Sequence, residues 1–342
     1  VPPLSKVTSL EPRKALVIYN PSAGNIVDSD VCVGTVVNNL CKQNDSRVMV
    51  TATTPQMKHA ECVDILKNGF DLIVAVGGDG TIRLVLGAAS EAAPNTPVAI
   101  IPVGTGNQLA RNLKIYEENF LGDALSEAVA VMLTGTPTRI DLGMMNGEYF
   151  CVAAGAGPLS DAVISPSPEE KAKLRMLAYV NSMIQTFASP PVVFRLTAGQ
   201  DTFDVSASGV FISNVSDLGV GTLSDTAELS DGLLDLCIMN PQEFGDYIQL
   251  GFRFLGGFVQ GSAPYYIRKV KAVDVEVVPI ESRLSDLQAI THKVRTALKG
   301  RPAEVPKYEQ VTAMIDGDAA GTTPMHIEVK HDAVLVLTPK TQ

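Results

Sequence analysis

Much that would point this chain towards other functions is scarce or missing from it. Excess positive charge is absent: the formal net charge is −10, which argues against a general nucleic-acid binder and gives no hint of a polybasic membrane anchor. Clustered metal-type cysteines are absent too. Cys32, Cys41, Cys62, Cys151 and Cys237 are scattered, form no Cys-x-x-Cys pair and have no histidine cluster beside them, which reads as reduced, mostly buried thiols. Long apolar runs are lacking. The weakly charged stretch Leu255 to Ile267 is broken by Gly, Gln, Ser and Pro and is too short to span a bilayer. Val1 to Arg13 lacks the apolar centre of a signal peptide. The chain begins at Val, which leaves a targeting segment upstream open. No internal repeat or low-complexity tract occurs. What remains is 342 residues with 46% hydrophobic content, enough for two domains with real cores.

The most informative stretch is Phe70 to Arg83. An apolar Val- and Ile-rich run reads as a buried strand, and Gly77-Gly78-Asp79-Gly80-Thr81 directly after it reads as a phosphate loop. Ile82 to Ala89 then has helical spacing, so the loop is expected to end at a helix N-terminus, where free N–H groups and the dipole favour an anion. Asp79 would repel a bare phosphate and makes sense with a divalent cation or a hydroxyl between the two. The competing reading is a tight turn in which Asp79 caps the helix.

The same unit recurs along the chain. Lys14 to Tyr19 is a strand ending at Asn20-Pro21-Ser22-Ala23-Gly24, with a helix over Val31 to Cys41. Arg47 to Ala52 is a strand followed by Thr53-Thr54-Pro55 and a helix over Lys58 to Asn68. Pro97 to Ile101 runs into Pro102-Val103-Gly104-Thr105-Gly106-Asn107 and the helical Gln108 to Leu113. The order βαβαβαβ predicts a parallel sheet covered by helices, with polar loops gathered beyond the carboxyl ends of its strands. After a helix over Leu121 to Thr134 the texture changes near Thr138. Tyr149–Ala154, Val192–Leu196, Ser208–Ile212, Leu233–Met239, Val273–Val278, Ala313–Ile315, Met325–Val329 and Ala333–Leu337 predict a second, mainly antiparallel β domain. The boundary is set between residues 137 and 138, and the final strand is free to return towards the first domain. A helix is expected over Pro168 to Thr186, whose Lys171, Lys173 and Arg175 read as a solvated face. Ser282 to Glu309 reads as a polar insertion.

Five motifs in order, Asn20-Pro21-Ser22-Ala23-Gly24, Gly77-Gly78-Asp79-Gly80-Thr81, Pro102-Val103-Gly104-Thr105-Gly106-Asn107, Asp231-Gly232-Leu233 and Asp316-Gly317-Asp318, resemble the motif set of the diacylglycerol kinase catalytic family. That family includes soluble bacterial lipid kinases and the sphingosine and ceramide kinases. The resemblance covers nearly the whole chain. It implies a nucleotide domain and a β-sandwich domain with the active site between them, and transfer of the γ-phosphoryl group of Mg-ATP to a hydroxyl of a lipid such as diacylglycerol or a sphingoid base.

Carried over by position, the resemblance puts ATP on Asn20, Pro21, Ser22, Ala23 and Gly24, on Thr54, on Gly77, Gly78, Asp79, Gly80, Thr81, Ile82 and Arg83, and on Gly104, Thr105 and Asn107. Asp79 orients the catalytic Mg²⁺, and Asp141 supports that network. Glu228, Asp231 and the backbone of Leu233 match a structural Mg²⁺ site. Asp318 matches the family's proton-accepting glutamate, one methylene shorter, with Asp316 as the other bearer of the role. Arg83 stands where many members have Asn. The lipid is to be met at a membrane surface, which implies a cytoplasmic, peripherally associated enzyme; a homodimer is left open. The rival readings are an NAD kinase-like phosphotransferase and a catalytically weak nucleotide-binding regulator.

Overall fold

The computed structural model describes residues 14–23, 29–42, 46–116, 123–164, 191–217, 223–224, 226–240, 265–278 and 309–340. The expected helix over Pro168 to Thr186, nearly all of the 282–309 segment, and Gly24 lie outside the described residues.

The first half alternates strands and helices: β1 (Lys14–Tyr19), α1 (Ser29–Cys41), β2 (Arg47–Ala52), α2 (His59–Leu66), β3 (Leu72–Gly77), α3 (Asp79–Ala92), β4 (Val98–Pro102), α4 (Gln108–Asn112) and α5 (Ala124–Thr134). Strands β1 to β4 pair in parallel in the order β2-β1-β3-β4. Strand β3 is buried along its whole length, as a central parallel strand covered by helices on both faces requires. Helix α3 begins three residues earlier than helical spacing predicted, so Asp79, Gly80 and Thr81 form its first turn and the loop contracts to Gly78.

Among the described residues the second half is β apart from α6 (Pro158–Ile164): β5 (Thr136–Met145), β6 (Glu148–Phe150), β7 (Ala153–Ala156), β8 (Val192–Ala198), β9 (Asp201–Ala207), β10 (Gly209–Ser213), β11 (Leu234–Met239), β12 (Tyr265–Val270), β13 (Ala272–Val277), β14 (Thr312–Ile315), β15 (Asp318–Thr322) and β16 (Met325–Thr338). The two runs read separately as Met325–Val329 and Ala333–Leu337 are one strand, whose pairing with β5 shifts register between Lys330 and Val334. Strand β16 lies between β4 and β13 and also pairs with β5, so the larger sheet continues through both halves as β2-β1-β3-β4-β16-β13-β8-β9. A second sheet, β12-β11-β10-β7-β14-β15, packs against it.

Alternation within the second sheet explains how the halves join. Ala154 and Ala156 of β7, Val210 and Ile212 of β10, Leu236 and Ile238 of β11, and Ala313 and Ile315 of β14 fill the core between the two sheets. Their neighbours Ala153, Phe211, Cys237, Met239 and Met314 join the core of the first half instead. A strand's side chains alternate between faces, so this sheet is buried on both. None of the cysteines is in a disulfide, with Cys41 exposed and the other four buried.

Two Asx-Gly pairs, Asn146-Gly147 and Asp316-Gly317, turn hairpins with φ of 50° and 89°, and of 50° and 85°, the double positive-φ geometry of two-residue loops. The Phe150 ring packs where Gly143 has no side chain: a Cβ there would lie 1.9 Å from the ring. Gly143→Ala should therefore cost about 1–3 kcal/mol or more of stability, read as a lower midpoint in urea unfolding. An unchanged midpoint would mean that the β5–β6 contact is not tight.

Candidate active site

Because β1 to β4 are parallel, their carboxyl ends meet at one edge of the sheet, and backbone bonds stitch the loops that follow. Asn20 N–H donates to Val76 O at 3.1 Å, Thr53 N–H to Tyr19 O at 2.7 Å, and Val103 N–H to Gly77 O at 3.0 Å. The structure thereby brings together Asn20, Pro21, Ser22, Ala23, Thr54, the Gly77 to Arg83 segment, Gly104, Thr105 and Asn107. Asn20 Oδ1 accepts the Ser22 N–H at 2.9 Å, closing the first loop on itself. Thr54 and Thr105 are exposed at this edge. Gly104 and Gly78 are in backbone contact: a Cβ on Gly104 would sit 2.6 Å from Gly78 Cα. Only glycine allows the two loops to approach so closely. Helix α3 starts here without a side-chain cap, leaving its first N–H groups to the space in front of them.

Asp79 does not cap its own helix. Its Oδ1 accepts the Gln108 N–H at 2.8 Å, so it caps α4 across the edge, and Oδ2 faces Gly106, where a Cβ would be 2.5 Å away. Burial pushes the Asp79 carboxyl up, while the amides of Gln108, Asn107 and Leu109 and the Arg111 charge pull it down. Asn107 adopts a left-handed conformation with φ 50°. Its Nδ2 donates to Gly104 O at 2.8 Å, and its Oδ1 is buried with no partner among the described residues.

The opposite wall is the β14–β15 hairpin. Alternation along an extended segment predicted that Asp316 and Asp318 point to similar sides. They do not, because Asp316 occupies the first turn position with positive φ. Its carboxylate turns inward and accepts three amides, Cys151 at 3.0 Å, Val152 at 2.9 Å and Ala153 at 3.0 Å. Asp318 opens β15 and stays exposed. Arg83, one turn into α3, reaches it: Nη1 donates to Ile315 O at 3.0 Å and Nη2 to Asp318 Oδ2 at 3.2 Å. A second link joins the halves, Asn112 Nδ2 to Asp217 O at 2.7 Å and Asp217 N–H to Asn112 Oδ1 at 3.1 Å. The buried Cys151 thiol is raised by burial first, and also by the neighbouring charges of Asp316 and Asp79. Neither Asn112 nor Cys151 is visible in a motif; both follow from topology.

The expected structural-metal residues have other partners. Asp231 Oδ1 accepts the Leu233 N–H at 3.0 Å, and its other oxygen is bonded to the Lys269 ammonium, while Glu228 is exposed. An ammonium already neutralises the central acid, so Glu228, Asp231 and Leu233 do not fit a bound Mg²⁺ with Lys269 so seated. Asp141 is fully buried. It accepts the amides of Gly232 at 2.7 Å and Asp332 at 2.8 Å, and its Oδ1 lies 2.8 Å from His331 Nδ1. Its carboxylate is therefore spent on tying β5, β16 and the 229–232 loop together. Asp141, His331 and Asp332 are close enough to share an ion, but the acid at the centre is already satisfied.

Comparison with known proteins bears on these loops directly. The family model for the diacylglycerol kinase catalytic domain matches residues 14–145. Over this segment the chain is similar to the diacylglycerol kinases. A diacylglycerol kinase of Bacillus subtilis (strain 168) is 27% identical over 247 residues, covering 72% of this chain and 80% of the relative. One from Staphylococcus saprophyticus is 27% identical over 272 residues, 77% and 85% of the two chains. The crystal structure of a diacylglycerol kinase from Bacillus anthracis strain Sterne superposes with a TM-score of 0.65 at 18% identity, covering 96% of this chain and 98% of that one, which is a likeness of fold. The matched segment runs from the start of β1 to the end of β5. It contains every loop at the sheet edge, whereas the Asp316–Asp318 hairpin lies beyond it.

Burial pushes the Asp316 carboxyl up to about 6, although Arg83 and the three amides pull it down. A folded value above the unfolded one means that the folded chain holds this proton more tightly. The contribution is fully present below about pH 4 and is lost as the pH rises through about 6. Across that window the thermal midpoint of the wild type should fall relative to that of Asp316→Asn. A difference that moves in favour of the wild type as pH rises would show that the amides outweigh burial.

Proposed function

We propose that this lipid kinase uses Mg-ATP and transfers the γ-phosphoryl group to a hydroxyl of diacylglycerol or a sphingoid base, with Asp318 taking the hydroxyl proton. The observation that carries the reading is the meeting of two unlike walls. Closely packed glycine backbone and an uncapped helix N-terminus suit polyphosphate, and a carboxylate-bearing hairpin faces them through Arg83. Asn20, Ser22, Thr54, Gly78, Gly80 and Thr105 are the residues to hold phosphates and ribose by amides and small hydroxyls. Asp79 is the acid nearest to orient Mg²⁺, through the oxygen not used to cap α4. When bound, Mg²⁺ neutralises phosphate charge.

Phosphoryl transfer needs positioning more than covalent help. The stitched loops supply a rigid floor, and Asp316, by holding three amides, fixes the hairpin on which Asp318 stands. An aliphatic hydroxyl gives up its proton late, so Asp318 serves by placement more than by basicity. Its exposure suits an acceptor that enters from outside. Among the described residues no helix is long and apolar enough to cross a membrane, and the lipid is proposed to be met by reversible peripheral contact.

Labelled ATP offered with diacylglycerol, a sphingoid base or NAD in mixed micelles tests the reaction. Label is expected in a lipid. Asp318→Asn should lower kcat by about 10²-fold with the KM for ATP changed by less than about threefold, and Asp318→Glu should stay active. Label in NAD and not in lipid would overturn the substrate class. A dead Asp316→Asn beside a normal Asp318→Asn would exchange the two acids.

A further inference from the structure

The pairing of Arg83 with the hairpin has a bearing on how the two walls act together. Arg83 belongs to the first wall by sequence, since it lies on α3 just past the glycines, and to the second by contact. Its guanidinium spans 232 residues to Ile315 O and 235 residues to Asp318 Oδ2. Its side chain is 25% exposed and that of Asp318 is 65% exposed. The arginine is thus the more buried member of the pair, and the exposed aspartate is held through it. A planar guanidinium presents donors in a rigid fork, and here the fork grips one backbone carbonyl and one carboxylate of the same hairpin, which sets both the position of the strand and the direction of the acid. The Asp318 side chain is short and cannot reach far on its own. The hairpin's other tether, Asp316 on the Cys151 to Ala153 amides, fixes the turn but not the acid beyond it.

We propose that Arg83 is a positioning residue that acts through Asp318: it couples the nucleotide-side helix α3 to the acceptor-side acid, so that this acid is aimed only when the helix carrying the glycine turn is in place. The proposal rests on Asp318 as the proton acceptor. It accounts for the joint occurrence of a long base at 83 and a short acid at 318. A lone Arg83→Asn leaves a short acid with no tether, whereas Arg83→Asn with Asp318→Glu restores reach from the other side.

A double-mutant cycle separates action through Asp318 from independent action. Wild type, Arg83→Gln, Asp318→Asn and the double variant are compared for kcat, KM for ATP and KM for diacylglycerol in mixed micelles, with thermal midpoints as the control for folding. Arg83→Gln should lower kcat by about 10-fold or more in the wild-type background and by less than about twofold when Asp318 is already Asn, with the KM for ATP within about threefold throughout. Arg83→Asn should likewise be slow, and adding Asp318→Glu should recover at least about half of the lost kcat on a logarithmic scale. Additive losses, or a loss expressed chiefly in the KM for ATP, would make Arg83 an independent phosphate ligand and overturn the coupling. Failure of Asp318→Glu to rescue Arg83→Asn, with both variants folded, would overturn it as well. Full turnover of Asp318→Asn alone would instead remove the acid assignment on which the proposal stands, so the two failures are distinguishable.

Discussion

The structure depends first on the pairing of β16. A 14-residue strand that joins β4 on one side and β13 on the other, and lies antiparallel to β5, turns two sequence halves into one continuous sheet. Its backbone bonds and the burial of Val334, Val336 and Leu337 give the second half a fixed orientation on the first. Without that constraint the polar loops beyond β1 to β4 and the β14–β15 hairpin would be two separate features. With it, an arginine from one half can bond a carbonyl and a carboxylate of the other.

The remaining features answer local demands. Parallel strands need crossovers, and because β1 to β4 run the same way the loops that follow them all lie at one edge. Bringing two such loops into backbone contact needs glycine at 78 and 104. Holding them together needs a polar tie, which Asp79 provides by capping α4. That tie gives Asp79 a structural task beside any role with a cation, and it explains how a carboxylate is tolerated at a helix N-terminus otherwise suited to phosphate. On the other side of Arg83, the hairpin is held by the opposite chemistry, a buried carboxylate accepting three amides.

Much of this was legible in the residues. The apolar runs at 14–19, 47–52, 72–77 and 98–102 end in Asn, Thr and Gly, and period and punctuation together gave the parallel sheet and the loop edge. The antiparallel texture after Thr138 was equally plain. What sequence alone left hidden was long-range in origin. The merging of two predicted runs into β16 depends on partners hundreds of residues away, and the divergence of Asp316 from Asp318 follows from a turn with positive φ, which simple alternation does not anticipate. The ammonium on Asp231 comes from β12, within a region whose composition gave no strand signal. Asp141, which the resemblance assigns to the Mg²⁺ network, is a buried knot between three elements.

The most direct measurement is amide hydrogen exchange with and without a non-hydrolysable Mg-ATP analogue. The account predicts slowed exchange in two separated segments, residues 77–83 and 104–108, together with the hairpin at 315–318 that Arg83 ties to them, and no change around 228–233. Protection confined to the second half, or centred on 228–233 with the glycine loops unaffected, would contradict it.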